Sequence, residues 1–84
     1  MKSNIRLQQE IFGLLKKNYK SSKACYVSVN GENVTILDSG LPIRYYPYAA
    51  KKILAKYPEL DFVHFTGQWT EYFYSRNTLK WLAV

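Results

Sequence analysis

The chain has 84 residues, of which 48% are hydrophobic and 17% are aromatic. This composition excludes an intrinsically disordered chain and predicts one small folded domain, residues 1–84, with room for a single core. The formal net charge of +6 favours encounters with nucleic acids, anionic membranes or acidic proteins, and equally suits a soluble domain without such partners.

The N-terminal segment predicts a helix over residues 4–19, because apolar and aromatic side chains recur there at helical spacing. Its expected core side consists of Gln8, Ile11, Phe12, Leu15 and Tyr19. Three lysines fall in or just after its last turn, where cations complement the helix dipole. These lysines are therefore explained either by stabilisation of the helix or by binding of an anionic ligand.

Two short runs with alternating side chains follow the helix. Cys25, Val27 and Val29 alternate with polar or aromatic neighbours, and a second run continues through residues 34–37. Asn30-Gly31 lies between the runs and can adopt the positive φ angles of a tight turn. The segment therefore predicts a β-hairpin.

A connector with turn residues, SGLPIRYYP, precedes a second predicted helix from Pro47 to Tyr57. Proline suits the first helical position, and Pro58 ends the helix. The expected apolar side consists of Ala50, Ile53, Leu54 and Tyr57. The opposite side carries Lys51, Lys52 and Lys56, which form either a solvated face or part of a binding surface for anions.

The C-terminal third contains three segments rich in strand-forming residues: DFVHFT, WTEYFYS and LKWLAV. Short turns between them predict an antiparallel meander. The last segment also fits a short helix capped by Asn77 or Thr78. The predicted fold is therefore a two-layer α+β domain of order α-β-β-α-β-β-(β). Its two helices pack on one face of a mainly antiparallel sheet of four or five strands.

Strand alternation divides the aromatic residues between the two sheet faces. Val63 and Phe65 are expected to face the helices. In the next strand we expect Trp69 and Phe73 to be buried, because a tyrosine hydroxyl tolerates the surface better than a phenyl ring does. The open face then carries Tyr26, Phe62, His64, Tyr72, Tyr74, Arg76 and Lys80. If Phe73 lies outside with Glu71, the two sets exchange.

Aromatic rings among cations are suited to stacking on bases and contacting phosphates. We therefore expect a non-catalytic protein that binds single-stranded nucleic acid through this face, assisted by Lys51, Lys52 and Lys56. The alternative is a protein-interaction module, or a small inhibitor of the kind encoded by phages and mobile elements. It would dock on an acidic or nucleic-acid-handling protein. A second copy of the chain could also cover the face.

Catalytic and metal-binding motifs are scarce in this sequence. One cysteine and one histidine cannot form a structural zinc site, and neither a phosphate-binding loop nor a nucleophile elbow is present. No cofactor is expected. Cys25 and His64 are expected on opposite faces of the sheet, which argues against a catalytic dyad. A metal-independent ribonuclease using His64, Glu71, Tyr72 and Arg76 is a minor alternative.

The expected location is the cytoplasm. A single cysteine permits no intramolecular disulfide, which favours a reducing compartment. The first residues lack the apolar core of a signal peptide. No apolar run approaches the roughly 18 residues that span a bilayer, so no membrane partner is expected.

Overall fold

The computed structural model describes residues 3–80. The elements, in chain order, are α1 (Asn4–Tyr19), β1 (Tyr26–Asn30), β2 (Asn33–Leu37), a 3₁₀ turn (Ile43–Tyr45), α2 (Tyr46–Lys56), β3 (Phe62–Thr66), β4 (Glu71–Ser75) and α3 (Arg76–Leu79). The strands form one sheet in the order β1-β2-β3-β4. Both outer pairs are antiparallel, whereas β2 and β3 are parallel because α2 crosses over between them. The predicted α+β fold is confirmed, with a short third helix added.

Helix α1 has the predicted bounds and packs against β1. The Ser3 hydroxyl caps its first turn by accepting a hydrogen bond from the Arg6 amide at 3.2 Å. Ile11 and Leu15 are fully buried, whereas Gln8 accepts a hydrogen bond from the Val29 amide at 3.0 Å. Gln8 thereby satisfies the Val29 amide, which lies on the outer edge of β1 and has no strand partner among the described residues. Within residues 3–80, no helix combines the length and apolarity needed to cross a membrane.

The predicted hairpin of β1 and β2 is confirmed. Asn30 pairs with Asn33 at its end, and Gly31 takes a positive φ of 64° in the turn. Val27, Val29 and the equivalent positions of β2 point inward and are buried. The hairpin thus supplies half of the sheet, with one face in the core and one face open.

The connection after β2 is held by a close contact with the loop that precedes β1. The Ser22 amide donates to the Ser39 carbonyl at 2.7 Å, and the Ser22 hydroxyl donates to the Asp38 carbonyl at 2.8 Å. Gly40 has a φ of 76°, and a Cβ at this position would lie 2.6 Å from the Ser22 Cβ. Only glycine fits this position without displacing the neighbouring loop.

Helix α2 begins one residue before the predicted start and ends one residue before the predicted end. All four residues of its expected apolar side are buried: Ala50, Ile53, Leu54 and Tyr57. Tyr46, at its first position, is also buried and stacks on Phe65 of β3, with ring centroids 4.2 Å apart and planes 5° apart. This stack fixes the helix over the second half of the sheet.

The side-chain assignment predicted for β4 was wrong. Tyr72 pairs with Phe65 and Tyr74 pairs with Val63, so both tyrosines lie on the helix-covered side. Tyr72 and Tyr46 form a T-shaped ring pair, and so do Tyr74 and Phe65. Tyrosine is favoured there because its ring packs on an aromatic partner while the sheet edge leaves it partly accessible to water. Because these two tyrosines face the helices, Glu71 lies on the other side of β4. Its carboxylate is exposed to water there and needs no buried partner.

The chain turns into helix α3 directly after β4, so the strand expected from residue 79 is wrong for the part the structure describes. Ser75 caps this helix, since its hydroxyl accepts from the Thr78 amide while the Thr78 hydroxyl accepts from the Ser75 amide. The cap was expected at Asn77 or Thr78. The N-cap is Ser75 instead, and Thr78 completes the capping box. Leu79 is buried. The rest of the expected fifth strand covers residues 81–84, which lie outside the described residues.

Candidate functional site

The open face of the sheet is built by the outward side chains of the four strands. These are Tyr26, Ser28, Asn30, Asn33, Thr35, Leu37, Phe62, His64, Thr66, Glu71, Phe73 and Ser75. None of these strand residues is a lysine or an arginine, and Glu71 is the single acidic member. The open face is therefore aromatic and nearly neutral, although the chain as a whole carries a formal charge of +6.

A shallow groove of about 520 Å³ crosses one end of this face. Its lining consists of Asn30, Asn33, Thr35, Phe62, His64, Phe73, Tyr74, Ser75 and Thr78. The lining contains two kinds of side chain: aromatic rings from β3 and β4, and neutral amide or hydroxyl groups from β1, β2, β4 and α3. This combination offers apolar contact and neutral hydrogen bonding, and no lining side chain is a lysine or an arginine.

His64 lies at the centre of the face, between two side chains of β4. Its imidazole stacks on the phenyl ring of Phe73, with centroids 4.1 Å apart and planes 7° apart. Its Nε2 lies 3.1 Å from the Glu71 Oε1, within hydrogen-bonding distance. These contacts hold both rings in one orientation, so this part of the face is preformed.

Four strongly exposed aromatic side chains lie on or beside this face. Phe73 is 70% exposed, Tyr26 is 60% exposed and Phe62 is 46% exposed, while Trp69 in the β3–β4 connection is 87% exposed. Sequence reasoning placed Trp69 and Phe73 in the core and so missed both. The available signal was Glu71, which shares their alternation and cannot be buried without cost.

Three of the predicted face residues are confirmed there, namely Tyr26, Phe62 and His64. Tyr72 and Tyr74 were expected beside them and lie instead on the helix-covered side. Burial raises the pKa of Tyr74. The two tyrosines therefore contribute their rings to packing against α2 and β3.

Arg76 was also expected on the open face, and that placement is wrong. Its guanidinium donates to the carbonyls of Leu54 at 2.7 Å, Tyr57 at 3.4 Å and Leu60, and its Nε lies 3.4 Å from the Asp61 Oδ1. These carbonyls belong to the end of α2 and the turn that follows it. Arg76 thus donates hydrogen bonds to carbonyl groups at the C-terminus of α2 and in the following turn that lack a helical N–H partner.

The remaining predicted binding residues are lysines, and they gather around α2. Lys51 and Lys80 line the same small depression of about 130 Å³. The ammonium groups of Lys52 and Lys56 lie over the rings of Tyr19 and Tyr57, at 5.9 and 5.8 Å from the centroids. The structure therefore separates these cations from the sheet aromatics, because α2 covers the inner side of the sheet.

The sheet also separates the four side chains that were considered for catalysis. His64 and Glu71 meet on the open face, whereas Tyr72 and Arg76 lie on the other side of the sheet. Cys25 is buried on the core side, as expected, and burial raises the pKa of its thiol. Among residues 3–80, no three histidine, cysteine, aspartate or glutamate side chains cluster closely enough to hold a metal ion.

Comparison of the chain with protein-family models found no match. Comparisons with curated proteins and with solved structures found no significant match either. The function is therefore inferred from the surfaces of this chain.

Proposed function

We propose that this protein is a non-catalytic interaction module whose open sheet face binds a partner protein. The observation that carries the proposal is the exposure of Phe62, Phe73 and Trp69 on or beside a face whose strands present no lysine or arginine. Aromatic side chains dominate the energetics of protein interfaces, whereas charged residues are depleted from interface centres. Contiguous exposed aromatic surface of this kind marks interaction sites on small domains.

The pairing of His64 with Phe73 supports the same proposal. Because the stack and the Glu71 contact already fix these side chains, binding costs little additional side-chain entropy. The neutral Asn30, Asn33 and other polar groups of the groove supply a hydrogen-bonding rim around the rings. An aromatic centre with a polar rim is the usual anatomy of a protein interface.

Single-stranded nucleic acid is the second candidate partner, and the flat rings of Phe62, His64 and Phe73 are the observation that favours it. Rings of this kind can stack on bases at about 1–3 kcal/mol each. The binding grooves of such proteins also place cations along the phosphate backbone. The sheet strands present no such cations and the lysines surround α2, so we rank this candidate below a protein partner.

The test is an affinity purification from the native host, with and without nuclease, using three forms of the protein. The wild type is compared with the double variant Trp69→Ala/Phe73→Ser. The matched control is Ile5→Ser, which removes an exposed apolar side chain from α1 instead of from the sheet face. Circular dichroism establishes that all three are folded.

The proposal requires one stoichiometric protein that resists nuclease, binds the wild type and Ile5→Ser, and is lost with the double variant. Retention of that protein by the double variant would place its binding site elsewhere. Loss of the partner on nuclease treatment would favour the nucleic-acid candidate. Sedimentation equilibrium of the purified protein distinguishes a second copy of the chain as the partner.

A location in the cytoplasm is part of this proposal. Cys25 is a free, buried thiol, and no other cysteine is available to form an intramolecular disulfide. This pattern is typical of proteins in reducing compartments. Fractionation of the native host with an antibody to the protein tests it directly.

A further inference from the structure

Another depression lies on the helical side of the molecule, where α1 and α2 meet. One part, of about 460 Å³, is lined by Leu14, Asn18, Lys51, Lys52, Ala55 and Lys56. The other part, of about 280 Å³, is lined by Glu10, Gly13, Leu14, Lys17, Asn18, Lys56 and Tyr57. The two parts share Leu14, Asn18 and Lys56, so they form one continuous surface, here called the α1–α2 groove.

The groove combines an apolar floor with a basic rim. Leu14 and Ala55 supply the aliphatic floor, and lysines from both helices surround it. Within the part of the chain that the structure describes, Glu10 is the one acidic side chain that lines the groove. It already accepts a hydrogen bond from the Tyr57 hydroxyl at 3.2 Å and lies 3.1 Å from the Arg6 Nε. The local field around the groove is therefore positive.

Gly13 is an independent sign that something approaches this surface closely. It lies in the interior of α1, where glycine stabilises a helix less than alanine does. A Cβ built at Gly13 would meet no atom of residues 3–80 within 4 Å, and its φ lies outside the positive range. The backbone and packing of this described part of the chain therefore do not require glycine here. A glycine in a groove leaves a bare stretch of helix that a second backbone can approach.

We infer that the α1–α2 groove binds an acidic amphipathic helix of a partner protein. Apolar side chains of that helix would contact Leu14 and Ala55, its backbone would pass over Gly13, and its carboxylates would meet the lysine rim. A groove between two helices is a common receptor for an amphipathic helix. A phosphate backbone would use the lysines but would gain nothing from the aliphatic floor or from the space above Gly13. These two features favour the acidic helix over a nucleic acid.

This inference goes beyond the proposed function, because it concerns the helical side and not the open sheet face. Each surface can be inactivated without altering the other. Phe73→Ser changes the sheet face and leaves the groove intact, whereas substitutions at Gly13 or the lysines do the reverse. One experiment can therefore contradict either proposal alone.

The test uses synthetic peptides of about 18 residues, long enough to form a helix once bound. One peptide has a leucine face flanked by glutamates, and the second keeps the leucines but replaces each glutamate by glutamine. The third probe is a fluorescent oligothymidylate with the same number of negative charges as the first peptide. Fluorescence anisotropy measures each affinity for wild type, Gly13→Gln, Lys52→Glu/Lys56→Glu and Phe73→Ser.

We expect the glutamate peptide to bind the wild type at least tenfold more tightly than either other probe. Gly13→Gln should weaken it tenfold or more while raising the melting temperature, since glutamine is a better helix former than glycine. The double charge reversal should also abolish binding, and Phe73→Ser should leave it unchanged. Equal binding of the glutamine peptide, tighter binding of the oligonucleotide, or undiminished binding by Gly13→Gln would each overturn the inference.

Discussion

His64 and Phe73 pair across β3 and β4, and their rings stack with nearly parallel planes and centroids 4.1 Å apart. The neighbouring pair in the same ladder, Val63 and Tyr74, points to the other side. Consecutive residues of β4 therefore belong to different environments, with Phe73 facing solvent and Tyr74 facing the core. This alternation decides which residues stabilise the fold and which are available to a partner.

Alanine substitutions at Phe73 and Tyr74 should have opposite consequences. Phe73→Ala removes a ring that is mostly in water, so the free energy of unfolding should fall by about 1 kcal/mol or less. Tyr74→Ala removes a ring packed against Phe65 and should cost about 2–3 kcal/mol. Urea denaturation followed by circular dichroism measures both. The reverse order would mean that the two faces of β4 are exchanged.

Much of the fold could be predicted from the sequence because its signals are local. The helical spacing from Gln8 to Tyr19 defined α1, Pro47 and Pro58 bracketed α2, and Asn30-Gly31 marked the hairpin turn. Each of these features acts through the backbone of the residues that carry it. They predict helices, strands and their order without knowledge of the rest of the molecule.

The candidate face was only partly predictable, because β4 carries aromatic residues on both of its sides. The choice depends on Tyr46, which stacks on Phe65 and offers its ring to Tyr72. That contact joins segments far apart in sequence, and periodicity contains no information about it. The lysines of α2 were recognised, but their separation from the sheet rings depends on which face α2 covers. Arg76 likewise reaches the Leu54 carbonyl, 22 positions earlier in the chain.

Arg76→Lys should destabilise the protein although it conserves the charge. The planar guanidinium serves the carbonyls of Leu54, Tyr57 and Leu60 together, and a single ammonium cannot reproduce that geometry. Loss of these contacts should cost about 1–2 kcal/mol. Arg6→Lys is the control, because its exposed pair with Glu10 is worth about 0.5 kcal/mol or less. Equal destabilisation of both variants by chemical denaturation would contradict a capping role for Arg76.

Gly40→Ala and Gly13→Ala should change stability in opposite directions. At Gly40 the positive φ is unfavourable for alanine, and the new methyl group would lie 2.6 Å from the Ser22 Cβ. A loss of about 2–4 kcal/mol is expected. At Gly13 the methyl group enters open space within a helix, so stability should rise by about 0.5–1 kcal/mol. Thermal denaturation should therefore place the wild type between the two variants. A neutral Gly40→Ala would refute the tight contact with Ser22.

The Tyr57 phenol should make the stability of the protein depend on pH in the alkaline range. Burial, together with the hydrogen bond to Glu10, raises its pKa to about 12 from the ordinary value of 10.0. The folded state therefore binds the phenolic proton more tightly than the unfolded state does. The resulting stabilisation is complete below pH 10 and is lost as the pH rises from 10 towards 12. Burial also raises the pKa of Tyr19 and of Tyr74, which adds to the slope in the same direction.

Tyr57→Phe removes this proton from the folding equilibrium and isolates its effect. Below pH 10 the variant should be less stable than the wild type, because it lacks the hydrogen bond to Glu10. The difference should shrink as the pH approaches 12, since the wild type must then bury or release an ionised phenol. Urea titrations at a series of pH values measure the difference, and Tyr48→Phe controls for removing an exposed phenol. A difference between wild type and Tyr57→Phe that stays constant from neutral pH into the alkaline range would contradict the assigned pKa.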